Sequence, residues 1–250
     1  MDDNPETVQP PSPSHPPSAL PLILIHDGGG TSFAYHCLPP LPRAVYAIRN
    51  PRFDTGGRWA GGVREMAAVY AGMIRALISS SSDFPRRGAS GRPEILLGGW
   101  SLGGYLSLQI STLLGADVVK GIVMVDSPFP SLDRKPVHGS LPPLAPSATR
   151  AQKMARECIR HASGLLDGWL PDEHTGVPAV LVRARDPVPA DWGRSPVDER
   201  RGESDLGWKG RCGVRAVLEV RGHHFDVFEF ARVDETGRAI ERACRELEGR

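Results

Sequence analysis

The sequence lacks several features that mark whole classes of protein. Its four cysteines show no C-x-x-C pair and no zinc-type spacing with histidine, so we expect free thiols and no metal site. Its 30 basic and 29 acidic residues nearly cancel, and no basic stripe is interleaved with aromatic residues, which argues against nucleic-acid binding. Its longest apolar runs are too short to cross a bilayer, so we expect no membrane partner.

The first residues also lack the positive and apolar regions of a signal peptide, which predicts a cytoplasmic location. Residues 1–18 contain six prolines with serines and acidic residues between them, and we expect a disordered lead-in there. The remaining residues, 19–250, have the length and the 40% hydrophobic content of one domain with one large core.

Short apolar runs alternate with amphipathic segments along residues 19–250, a rhythm that predicts an α/β fold. Continuous apolar strands are typical of a mostly parallel sheet covered by helices on both faces. Strands are predicted at 21–26, 44–48, 94–100, 118–125, 177–184 and 214–220, and helices at 63–79, after residue 101 and at 233–247. Residues 129–175 interrupt this alternation of strands and helices. Because the segment is too long for a simple crossover connection, we predict a lid inserted above the strand ends, with an amphipathic segment at 148–166.

The strongest motif is Gly99-Trp100-Ser101-Leu102-Gly103, which has the pattern G-x-S-x-G. An apolar strand precedes it and an amphipathic helix follows it, the context of a nucleophile elbow. In such a turn the flanking glycines allow a tight crossing of strand and helix, and the serine hydroxyl projects above the sheet. The motif predicts that Ser101 is a nucleophile.

A serine nucleophile needs a base and an acid that orients it, and the sequence offers two candidates for each. The adjacent histidines His223 and His224 follow the last predicted strand, where this kind of fold places the base. Asp126 and Asp186 each end a predicted strand at the carboxyl edge of the sheet. The spacing alone leaves both choices open.

An oxyanion-stabilising loop is predicted at residues 26–30, His-Asp-Gly-Gly-Gly, directly after the first predicted strand. Glycines allow backbone N–H groups to approach a developing negative charge closely. We expect Gly29 to donate one N–H and Leu102, which follows the nucleophile, to donate the other. A phosphate-binding loop is disfavoured because G-x-G-x-x-G and the P-loop lysine are both missing.

Four motifs together resemble one family. They are residues 26–31, His-Asp-Gly-Gly-Gly-Thr; 98–104, Gly-Gly-Trp-Ser-Leu-Gly-Gly; 125–128, Val-Asp-Ser-Pro; and 222–225, Gly-His-His-Phe. Their order and content are similar to those of the thioesterase domains of fungal polyketide synthases and nonribosomal peptide synthetases, within the α/β-hydrolase superfamily. The likeness extends over residues 20–247.

The resemblance implies an α/β-hydrolase fold with an inserted lid and a Ser101, Asp126 and His224 triad. It implies release of an acyl chain, by hydrolysis or cyclisation, from the phosphopantetheine thioester of a carrier protein or polyketide synthase. The chain would act in trans as a stand-alone enzyme, through an acyl-Ser101 intermediate and without a cofactor. Asp27, Trp100 and Trp59 are expected to contact the substrate.

Two other functions fit a sequence of this kind. A carboxylesterase or lactonase would use the same triad on free small molecules. A binding module with a hydrolase fold would have no activity, and its usual mark is a missing triad residue. Here serine, aspartate and histidine candidates are all present.

Overall fold

A single sheet organises the computed structural model, which describes residues 3–80, 84–85, 93–130, 144–172, 176–192 and 195–249. Within these residues seven strands form the sheet, in the order β1-β3-β2-β4-β5-β6-β7. The strands are β1 Glu6–Gln9, β2 Leu22–Ile25, β3 Val45–Ile48, β4 Ile95–Trp100, β5 Val119–Val125, β6 Ala179–Ala184 and β7 Val214–Val220. Strands β2 to β7 pair in parallel, and β1 pairs antiparallel with β3.

Helices cover both faces of the sheet, as the sequence predicts. They are α1 Phe33–His36, α2 Gly62–Ser80, α3 Leu102–Leu114, α4 Arg150–Leu165 and α5 Val233–Leu247. Alternate side chains of each buried strand enter two separate apolar clusters. One cluster lies under α2 and α3, and the other lies under α1 and α5. The predicted mostly parallel sheet is confirmed.

The amino-terminal segment differs from the expected disordered lead-in at residues 1–18. Residues 6–9 form the edge strand β1, because tertiary contacts hold a segment whose local sequence favours disorder. The Glu6 carboxylate accepts a hydrogen bond from Ser32 Oγ at 2.5 Å and pairs with Arg49 Nε at 3.1 Å. Asn4 also bonds to the backbone of Arg49, at its N–H and its carbonyl oxygen. The structure therefore differs from the expected disorder at residues 4–9, and for the rest of the segment the expectation stays a prediction.

The predicted insertion contains one helix, α4, between β5 and β6. Residues 131–143 and 173–175 of the segment predicted as a lid lie outside the described residues. Several α4 side chains face the loop that leaves β2. A Cβ atom added to Gly28, for example, would lie 3.2 Å from the Cβ of Ala162. The helix therefore stands above the carboxyl ends of β2 and β4.

No helix among the described residues has both the length and the apolar character needed to cross a membrane.

Candidate active site

The turn between β4 and α3 holds Ser101 in a strained conformation, with φ 55° and ψ −113°. This is a region that side-chain-bearing residues rarely adopt, and strain of this kind clusters at functional sites. The flanking glycines have no room for a side chain. A Cβ on Gly99 would lie 2.6 Å from the carbonyl oxygen of Ile25, and a Cβ on Gly103 would lie 2.2 Å from the same oxygen. The close passage of α3 over β2 thus requires both glycines of the motif.

The structure brings together Ser101, His224 and Asp126, which are far apart in the sequence. His224 Nε2 lies 3.1 Å from Ser101 Oγ, and His224 Nδ1 lies 2.9 Å from Asp126 Oδ2. Because Asp126 is ionised, Nδ1 carries the proton and donates to it, which leaves Nε2 free to accept the serine proton. His224 and Asp126 are buried, so the bond between them is shielded from water.

The two alternative candidates lie elsewhere. His223 Nε2 faces Asp226, at 3.5 Å from Oδ2, and its ring packs against Trp192. Asp186 is partly exposed, pairs with the adjacent Arg185 at 2.9 Å and accepts the backbone N–H of Gly222 at 3.0 Å. Of the candidates that the sequence left open, the structure thus places His224 beside Ser101 and Asp126 beside His224.

Asp126 has an additional partner that the sequence did not predict. Arg201 donates two hydrogen bonds of 2.7 Å to it, one to each carboxylate oxygen, and the backbone N–H of Ala184 donates to Oδ1 at 2.8 Å. Burial alone would raise the pKa of Asp126, but the hydrogen bonds and positive charge of Arg201, together with His224, hold it well below its usual range. The carboxylate therefore stays ionised and fixed.

The Asp-Ser-Pro segment at residues 126–128 also stabilises the turn that holds Ser101. Ser127 Oγ donates to the carbonyl oxygen of Ser101 at 2.7 Å. The Nε1–H of the buried Trp208 in turn donates to the carbonyl oxygen of Ser127 at 2.7 Å. These contacts help to fix the backbone of the strained turn.

The loop that leaves β2 is anchored by His26. Burial lowers the pKa of this histidine to about 4, so its ring is neutral. Its Nδ1 lies 2.6 Å from the carbonyl oxygen of Asp27, and its Nε2 lies 2.7 Å from Tyr70 Oη. A neutral ring satisfies both contacts when Nδ1–H donates to the carbonyl and Nε2 accepts from the tyrosine. His26 thereby fixes the orientation of the peptide that begins the glycine run.

The two N–H groups expected to stabilise an oxyanion differ in their surroundings. Leu102 is the first residue of α3, where backbone N–H groups lack helical partners. The N–H of Gly29 donates to Asp27 Oδ1 at 3.0 Å, so in this conformation Asp27 occupies it. Burial raises the pKa of Asp27 to about 6, although the N–H of Gly29 and the nearby His224 oppose this shift.

A cavity of about 430 Å³, here called the chamber, lies between this loop and α4. It is bounded by the loop after β2, by the segment between β3 and α2, by Leu102 and by one side of α4. Trp59, expected to contact the substrate, lines it. Trp100, also expected to do so, is not among its lining residues and instead packs behind the catalytic candidates, with its ring 5.7 Å from that of His224.

Among the described residues, no group of three or more histidine, cysteine, aspartate or glutamate side chains is arranged to hold a metal ion. The four cysteines are free thiols.

A parallel sheet with a strained serine turn after one strand, and an aspartate and a histidine after later strands, is the arrangement of an α/β hydrolase. The chain belongs to that family: the model described as "Alpha/beta hydrolase family" matches residues 22–242. Within it, the chain belongs with a group of fungal thioesterases. It is 41% identical to thioesterase frbD of Dothideomycetidae sp. (strain 11243), over 92% of this chain and 91% of that protein.

Two further comparisons agree. The chain is 32% identical to the probable thioesterase lcsE of Purpureocillium lilacinum, over 93% of this chain and 90% of that protein. Among solved structures, YbtT, a type II thioesterase from the yersiniabactin NRPS/PKS biosynthetic pathway, superposes with a TM-score of 0.66. That match covers 96% of this chain and 98% of YbtT at 17% identity, so it supports the fold alone.

Proposed function

We propose that this protein is a serine thioesterase that releases an acyl chain from the phosphopantetheine thioester of a carrier protein. The observation that carries the proposal is the 3.1 Å contact between His224 Nε2 and Ser101 Oγ, continued by the 2.9 Å contact between His224 Nδ1 and Asp126. The thioesterase names of frbD and lcsE support a thioester rather than an oxygen ester as the substrate. The resemblance of the four sequence motifs to thioesterase domains of polyketide synthases and nonribosomal peptide synthetases supports a carrier-bound acyl group.

In the acylation step, His224 Nε2 takes the proton from Ser101 Oγ as the oxygen attacks the thioester carbonyl carbon. The carbonyl oxygen becomes an oxyanion and accepts the N–H of Leu102. Collapse of the tetrahedral intermediate breaks the C–S bond, and His224 returns the proton to the leaving pantetheine thiol. Asp126 remains ionised and stabilises the imidazolium that forms between these two transfers.

In the second step, water or a nucleophile within the acyl chain attacks the acyl-Ser101 ester, with His224 again acting as the base. The N–H of Gly29 serves as the second oxyanion donor once the Asp27 carboxylate has released it. Asp27 and Trp59 are proposed to contact the substrate. Trp100, whose ring packs against that of His224, is proposed to act on the substrate through the position of this imidazole. Helix α4 is proposed as the lid over the acyl chain.

The proposal is tested by comparing acyl-pantetheine thioesters with oxygen esters of the same acyl group. We expect faster turnover of the thioesters, loss of turnover in Ser101→Ala and His224→Ala, and retention in His223→Ala, a matched control one residue away. Faster turnover of the oxygen esters would favour a carboxylesterase or lactonase. Failure of a fluorophosphonate to label Ser101 in the folded protein would favour a binding module.

A further inference from the structure

Asn50 lies beside the predicted oxyanion loop and lines the chamber. Its backbone N–H donates to the carbonyl oxygen of Gly30 at 3.0 Å, and its side chain lies 3.3 Å from where a Cβ on Gly30 would stand. The residue is only 6% exposed. An asparagine buried to this degree normally has hydrogen-bond partners for both ends of its amide.

The oxygen of the Asn50 amide is satisfied by the protein. Oδ1 accepts the backbone N–H of Arg52 at 2.9 Å and the Nε1–H of Trp59 at 3.3 Å. Both partners are donors, so they fix which end of the amide is the oxygen. The NH₂ end therefore has a fixed direction.

The nitrogen of the same amide is poorly satisfied. Within the part of the chain that the structure describes, the acceptor for Nδ2 is Cys158 Sγ at 3.9 Å. A thiol sulfur is a weak acceptor, and an NH₂ group has two N–H bonds to place. Asn50 and Cys158 both line the chamber, so at least one strong donor faces this cavity without a protein oxygen.

The guanidinium of Arg52, two residues after Asn50 in sequence, already has partners within the protein. Arg52 Nη2 donates to Glu65 at 2.8 Å, and its guanidinium carbon lies 3.8 Å above the ring of Trp59. These contacts stabilise the wall that carries Asn50. The amide of Asn50 is thus a neutral donor in this wall whose one acceptor among the described residues is a thiol sulfur.

We propose that Asn50 Nδ2 donates a hydrogen bond to a keto or hydroxyl oxygen on the acyl chain, close to the thioester. The substrate class is then a 3-oxo- or 3-hydroxyacyl thioester rather than a saturated one. The position follows from the contact of Asn50 with the Gly30 end of the oxyanion loop. This inference rests on the proposed thioesterase function. A saturated chain in the chamber would exclude water and offer Asn50 Nδ2 no acceptor. Because a buried donor without an acceptor costs free energy, such a site discriminates against the saturated analogue.

The test compares kcat/KM for 3-oxohexanoyl and hexanoyl thioesters of N-acetylcysteamine, because a keto oxygen can only accept and so cannot donate to the carboxylate of Asn50→Asp. For the wild-type protein we expect the 3-oxo thioester to be preferred by about tenfold, the effect of one hydrogen bond with a buried donor. In Asn50→Asp, both acceptor contacts to Arg52 and Trp59 remain but the N–H donor is gone. In this variant the ratio of the two kcat/KM values should fall to about one or below one. Asn50→Leu removes the whole amide and should favour the saturated chain.

Asn4→Asp is the matched control, because Asn4 bonds to Arg49, next to Asn50 in sequence, and does not line the chamber. It should keep the wild-type preference. Thermal unfolding shows whether each variant folds; if Asn50→Leu does not, the more conservative Asn50→Asp decides the question. Equal turnover of the two thioesters by the wild-type protein, or a preference that survives Asn50→Asp, would overturn the inference. Absence of turnover of either thioester would instead refute the proposed function.

Discussion

Arg201 holds Asp126 through two parallel hydrogen bonds of 2.7 Å, so the carboxylate that orients His224 is also one half of a buried ion pair. Asp126 is fully buried and Arg201 is 8% exposed. Removing one member of such a pair leaves a charge in a place where water cannot solvate it. The pair therefore contributes to the stability of the fold as well as to the geometry of the site.

The change Arg201→Gln is predicted to lower the free energy of unfolding by about 3 kcal/mol, the usual effect of breaking a buried pair. Urea unfolding measures it. The neighbouring Arg200 is partly exposed and pairs with Glu203, so Arg200→Gln should change stability by less than about 1 kcal/mol. Equal urea midpoints for the two variants would contradict the prediction that the buried pair of Arg201 affects stability more than the partly exposed pair of Arg200.

The change Asp126→Asn should reduce kcat/KM by a factor on the order of 10³ to 10⁴, as expected when the imidazole loses the carboxylate that sets its tautomer. The control is Asp186→Asn, which alters the other aspartate that the sequence proposed. Asp186 is partly exposed and pairs with Arg185, and an asparagine amide there can still accept the N–H of Gly222, so this variant should retain activity within about twofold. Loss of activity in Asp186→Asn together with retained activity in Asp126→Asn would show that Asp186, and not Asp126, orients His224.

Gly103→Ala is predicted to prevent stable folding or to lower the free energy of unfolding by several kcal/mol, since its Cβ would lie 2.2 Å from the backbone oxygen of Ile25. Gly72 in α2 offers the control. No atom lies within 4 Å of a Cβ placed there, so Gly72→Ala should raise stability by up to about 1 kcal/mol. Circular dichroism during thermal unfolding measures both. A folded Gly103→Ala protein with wild-type stability would contradict the described elbow.

The raised pKa of Asp27 predicts that the free energy of unfolding depends on pH. Its pKa is raised to about 6 in the folded protein, against about 3.9 in an unfolded chain. The folded state therefore binds more protons than the unfolded state between these values, and stability falls as pH rises from about 4 to 6. The full loss amounts to roughly 3 kcal/mol; it begins near pH 4 and is nearly complete above pH 6.

The variant Asp27→Asn should lack this component, since the amide can still accept the N–H of Gly29 but does not ionise. Urea unfolding at pH 4 and pH 7 is the measurement. The variant should gain stability relative to the wild-type protein at pH 7 and not at pH 4. A difference that is the same at both pH values would rule out ionisation of Asp27 as the cause.

The sequence was sufficient to predict the inner strands, because β2, β4, β5 and β6 are buried on both faces and so read as continuous apolar runs. It could not predict β1. The four residues Glu6–Gln9 lie among prolines, and their strand conformation depends on pairing with β3 and on the contact between Glu6 and Arg49. Tertiary contacts outweigh local preference there.

The strained turn at Ser101 was predictable, because one short motif with its flanking glycines specifies it. Arg201 gave no local signal, since it is one of 30 basic residues and reaches Asp126 from 75 positions along the chain. Asn50 likewise acquires its unusual environment only when the segment after β3 meets α4. The choice between Asp126 and Asp186 also required coordinates, because both end neighbouring strands at the same edge of the sheet.

The most direct test of the account is thiol release from an acyl-pantetheine carrier protein, combined with rapid quenching and mass analysis of the peptide that contains Ser101. The account predicts stoichiometric acylation of that serine on the path to free thiol and released acyl product. It also predicts that Ser101→Ala shows neither adduct nor release above the uncatalysed rate. Thiol release by the wild-type protein that persists undiminished in Ser101→Ala would contradict it.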